Sequence, residues 1–78
     1  SDLNMIQDKT TQSLYITYGV NGLYEVAEVN PSSGEVLKIK SLKGFAFVEN
    51  IQIYRGRVYF THQSPLGRRT MNLYSTAF

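Results

Sequence analysis

At 78 residues, with no cysteine and a single histidine, the chain amounts to one small domain, able to bury about 60 to 65% of its unfolded surface; a disulfide scaffold and a thiolate metal site are excluded. One imidazole and six acidic residues make a zinc site unexpected, and no apolar run approaches the roughly 20 residues that span a bilayer, so neither a cofactor nor a membrane partner is expected. The net charge of +2 is unevenly spread: residues 1–35 carry Lys9 against Asp2, Asp8, Glu25, Glu28 and Glu35, a sum of −4, whereas residues 36–78 carry Lys38, Lys40, Lys43, Arg55, Arg57, Arg68 and Arg69 against Glu49, a sum of +6. A basic half attracts polyanions such as RNA, DNA or an acidic surface. The plainer reading is a solvated polar face.

Residues 1–12 read as an N-terminal arm and residues 13–78 as a single β-rich domain, because short runs of β-branched and aromatic residues begin at Ser13 and are divided by turn chemistry. SLYITY (13–18) alternates and stops at Gly19. Asn21-Gly22 is a hairpin signal before GLYEVAEV, which also fits helical spacing, with Asn21 as an N-cap and Pro31 as a stop; Val26 and Val29 favour a strand. Asn30-Pro31-Ser32-Ser33-Gly34 is the clearest turn. GEVLKIKSL (34–42) sets Leu37 and Ile39 on one face and Lys38 and Lys40 on the other, the pattern of a half-buried strand. Lys43-Gly44 turns into FAFVENIQI, Arg55-Gly56 punctuates, and RVYFTH (57–62) and MNLYS (71–75) close the series. Six strands and no linker predict an all-β fold, a small antiparallel barrel of five to six strands.

The stretch KGFAFVEN (43–50), taken as a strand, points Lys43, Phe45 and Phe47 to one side and Ala46 and Val48 to the other. Exposing a Phe forfeits about 1.5 to 3 kcal/mol of burial, whereas an unpaired base stacked on it returns about 1 to 3 kcal/mol. KGFAFV resembles the RNP1 signature of RNA recognition motifs, and LYITYG (14–19) resembles their RNP2 strand; the likeness spans about residues 14–50 and implies Tyr15, Phe45 and Phe47 as stacking positions in an α+β fold. GEVLKIKSLKGFAFV (34–48) with YFTHQS (59–64) is similar to cold-shock domains, which implies an OB-like barrel with Phe60 and His62 beside Phe45 and Phe47. Both resemblances imply an intracellular module for single-stranded RNA or DNA. Lys38, Lys40, Lys43 and Arg57, on strands or turns flanking these rings, are expected against phosphates.

A different likeness is internal to the chain. L14-Y-I-T-Y18 matches V58-Y-F-T-H62 at an offset of 44 residues, near the period of β-propeller blades. Two partial blades leave sheet faces uncovered, which implies a β-rich interaction or repeat module bound to a protein or to itself. Enzyme signatures are weak: His62 and Ser64 have no acid at triad spacing, and neither GxGxxG nor the P-loop pattern occurs, so no catalytic residue is expected.

Overall fold

The computed structural model describes residues 3–21, 23–45, 48–63 and 71–78. Seven strands follow one another: β1 (Asn4–Gln7), β2 (Leu14–Val20), β3 (Leu23–Val29), β4 (Val36–Ser41), β5 (Glu49–Tyr54), β6 (Arg57–Gln63) and β7 (Met71–Ala77). They form two antiparallel meanders, one of four strands in the order β1-β2-β3-β4 and one of three in the order β5-β6-β7. The all-β expectation holds, and residues 23–29 are strand rather than helix. The barrel does not: among the described residues the two sheets close no ring of strands, and there are seven strands rather than five or six.

Turn chemistry explains most of the connections. β2 and β3 pair in full register from Leu14↔Val29 to Val20↔Leu23, leaving a two-residue loop in which Asn21 has φ 50°, as an Asn-Gly hairpin turn requires. In the next turn Asn30 Oδ1 accepts a hydrogen bond from the Ser32 N–H at 2.8 Å, and the Asn30 carbonyl accepts one from the Gly34 N–H at 2.7 Å. Between β5 and β6 the left-handed pair is Arg55 (φ 52°) and Gly56 (φ 73°). A Cβ at Gly56 would meet nothing within 4 Å, so Gly56→Ala should cost only the backbone strain, about 1 kcal/mol, read as a lower urea midpoint with an unchanged slope.

Two expectations need correction. The N-terminal arm is part of the first sheet, because Asn4 to Gln7 pair with Thr17 to Leu14. The strand expected from Phe45 begins only at Glu49: Lys43 and Gly44 form a turn, Gly44 sits at φ 95°, and Phe45 and Val48 lie in the connection between the sheets. The Phe45 N–H donates back to the Leu42 carbonyl at 3.3 Å instead of to a neighbouring strand.

The sheets pack face to face. Tyr15, Val26 and Leu42 from the first sheet and its end meet Val48, Ile53, Val58 and Phe60, all buried. Each such side chain contributes about 1.5 to 3 kcal/mol by leaving water. The joint also has a polar clasp in the β1–β2 loop. The buried Asp8 carboxylate accepts hydrogen bonds from the Thr10 N–H and hydroxyl through Oδ1 and, through Oδ2, from the Gly56 N–H at 2.8 Å. Thr10 Oγ1 in turn accepts from the Arg55 N–H at 3.1 Å. These donors favour the anion, so the Asp8 carboxyl is held far below the usual carboxylate range, the Thr10 hydroxyl bond being the largest cause.

Candidate functional site

The residues that sequence reasoning proposed for nucleic acid fall into separate groups. Phe45, Phe60 and His62 do come together: Phe45 meets Phe60 edge-on with centroids 5.0 Å apart and His62 at 5.1 Å. Their common side faces inward, however. Phe60 is 0% exposed and Phe45 packs against the core, because β6 turns Val58 and Phe60 toward the first sheet. Tyr15 is likewise core, with Phe78 against its edge at 4.9 Å, so neither Tyr15 nor Phe60 offers a ring face to a base. This corrects their placement on an open platform. Phe47 lies outside the described residues.

The cations are dispersed around these rings. Lys38 on β4 lies over the Phe78 ring at 5.4 Å, and Lys40, half-buried, stands opposite Val26. Lys43 is exposed on the turn, its N–H donating to Ser41 Oγ. Arg57 is exposed on the outward side of β6 and donates to Ser75 Oγ at 3.1 Å.

A surface that the sequence reading passed over is more coherent. Since successive strand residues alternate sides, the residues of the first sheet paired with Ile16 and Ala27 lie on the side opposite Tyr15, Thr17 and Val26. In register across all four strands run Met5, Ile16, Ala27 and Ile39. Leu14, Val29 and Val36 make a second row, Val36 being brought opposite Val29 by the bulge at Glu28/Val29, and Val20 with Leu23 a third, set off from the first by the polar row Tyr18, Glu25 and Ser41; Ala27 and Val29, in the middle strand, are themselves buried. Met5 is 70% exposed and Ile39 52%, and Leu3, Val20, Leu23 and Val36 are exposed with them. Leu37 and Ile39 do share a side of β4, as alternation predicts, but that side is uncovered rather than half-buried. The signal for it was in LYITYGV, where both alternating sets are apolar enough to bury, the pattern of a strand covered on two faces.

The molecule is correspondingly flat, measuring 42 × 26 × 16 Å. Its accessible surface of 5459 Å² exceeds the ~4800 Å² expected of a compact monomer of this mass. A cleft of about 390 Å³ opens at one end of the joint, where Asn4, Thr17 and Tyr24 face Glu49, Asn50 and Ile51. Its single carboxylate, Glu49, has no second carboxylate, imidazole or amine beside it in that lining. Among the described residues no three His, Asp or Glu side chains converge in a way that could hold a metal ion, and no helix is long and apolar enough to cross a membrane.

No family model matches the chain, and neither a curated protein nor a solved structure matches it.

Proposed function

We propose that the chain is a β-sheet interaction module, a repeat unit resembling propeller blades that works by packing sheet faces rather than by catalysing a reaction or by stacking bases. The observation that carries this reading is the outer side of the first sheet, on which Met5, Val20, Leu23, Val36 and Ile39 stand exposed beside the half-buried Ile16. Apolar patches of this kind on a small monomer mark interaction sites, and each exposed aliphatic side chain forgoes about 1.5 to 3 kcal/mol until something covers it. The repeat supports the same reading, since L14-Y-I-T-Y18 and V58-Y-F-T-H62 occupy β2 and β6, the second strand of each meander.

A dye that fluoresces on apolar surfaces tests the proposal. It should bind the folded wild type, and Met5→Lys with Ile39→Lys should abolish most of that signal while stability changes by no more than about 0.5 kcal/mol per exposed site. Loss of stability in step with the signal would make this face part of the core and overturn the reading. A short single-stranded oligonucleotide gives the contrasting outcome: salt-sensitive binding that Lys40→Ala with Arg57→Ala weakens would favour a nucleic-acid module.

A further inference from the structure

We infer that the partner of the uncovered face is a second copy of this chain, docked head to tail, so that the outer side of its three-stranded sheet covers the outer side of the four-stranded sheet. The inference rests on the interaction-module reading and names its partner.

The repeat fixes the polarity of the joint. β2 turns Tyr15 and Thr17 inward, whereas β6 turns Val58 and Phe60 inward. At the 44-residue offset, Val58 and Phe60 correspond to Leu14 and Ile16, which lie on the outer side of the first sheet. The joint inside the chain therefore pairs a Tyr15/Thr17 face with a Leu14/Ile16-type face. Both kinds of face are also left over: the outer side of the first sheet carries Leu14 and Ile16 themselves, and the outer side of the second carries Tyr59 and Thr61, the counterparts of Tyr15 and Thr17. Stacking a second copy in the sense already used within the chain pairs these two free faces. A two-fold arrangement would instead set the first sheet's outer face against itself.

Charge favours the same polarity. Residues 1–42 hold Lys9, Lys38 and Lys40 against five acids, a sum of −2, and residues 43–78 hold five basic residues against Glu49, a sum of +4. Head-to-tail contact opposes unlike charges, and the two-fold contact opposes like ones. Area sets the strength. Four strands of about six residues cover about 400 Å² in plane at the usual strand spacings, against about 800 Å² per partner in a standard interface. The Asp8 clasp has no counterpart at the Arg55-Gly56 turn, which carries no carboxylate. Association is consequently weak and concentration-dependent, and, being heterologous, it extends into a ring or an open chain.

Sedimentation velocity from micromolar to millimolar concentration tests this with two variants, Ile39→Lys on one face and Tyr59→Glu on the other. The wild type should gain mass as concentration rises. Each variant alone should stay monomeric, and an equimolar mixture should form a one-to-one dimer and nothing larger, because only one complementary pair of intact faces remains. Gln52→Arg, at an exposed position paired with Tyr59, replaces Tyr59→Glu if circular dichroism shows the latter unfolded. A wild type monomeric throughout, a mixture that does not associate, or second-sheet variants that self-associate as wild type does would each overturn the inference. A monomeric wild type that still binds the dye through Met5 and Ile39 would leave the interaction reading standing with a different partner.

Discussion

Phe60→Ala is expected to lower the urea midpoint further than any other single truncation in the chain. The ring is 0% exposed and sits edge-on to Phe45 at the centre of the joint. Emptying such a site costs about 3 to 5 kcal/mol, part of it lost transfer energy and part the cavity left behind. A domain of this length has about 4 to 12 kcal/mol of total stability, so the variant forfeits about a quarter of it or more. Phe45→Leu, at a half-buried ring touching the same site, should cost less because the remaining side chain still covers Phe60. The measurement is denaturation followed by far-ultraviolet circular dichroism. A base-stacking role for Phe60 makes the opposite forecast: lost oligonucleotide affinity with an unchanged midpoint. An unchanged midpoint would remove Phe60 from the core.

Acid should loosen the joint between the sheets, and Asp8 should be the main reason. Its folded carboxyl titrates far below the ordinary value of 3.8 because the Thr10 hydroxyl and the Thr10, Arg55 and Gly56 N–H groups favour the anion. A group whose folded pKa is depressed contributes stability that is complete above its unfolded pKa and is lost as pH falls toward the folded one. Wild-type stability attributable to Asp8 should therefore be flat above about pH 5 and decline steadily below pH 4. Asp8→Asn should be less stable than wild type at neutral pH, since its amide can turn N–H groups toward the Gly56 donor, and it should lose less on acidification. Thermal melts of both proteins at neutral and acidic pH check this. Parallel declines would place the acid sensitivity in other carboxylates.

The local elements were legible because turn residues state their own geometry. Asn21, Asn30, Gly34 and Arg55-Gly56 end strands where their backbone angles or side-chain hydrogen bonds require it. β1 escaped notice because Asn4–Gln7 is four residues long and its pairing depends on β2. KGFAFVEN misled for a physical reason: composition reports that rings and a cation stand close along the chain, but not which side the backbone turns them to. Gly44 at φ 95° breaks the alternation on which the outward placement of Phe45 depended. The facing of Val58 and Phe60 was equally beyond the sequence, since either alternating set of β6 could be buried. The Asp8 clasp was out of reach because it joins residues 48 positions apart. Proximity on that scale follows from the packing of the sheets and leaves no local pattern to read.

β4 ends the first sheet with one backbone edge unpaired among the described residues, in a strand of sequence VLKIKS. An aliphatic edge of this kind invites further copies to add strand upon strand into a cross-β fibril. Lys38 and Lys40 make that growth self-limiting. In a parallel, in-register stack each ammonium would face its own copy about 4.8 Å away, a repulsion of about 0.9 kcal/mol per pair even in water. The two lysines thus act as gatekeepers that leave face packing open while discouraging edge addition. Acetylating both removes the charges and leaves Val36, Leu37 and Ile39 in place, so the modified strand has the composition of an amyloid-forming segment with its restraint taken away.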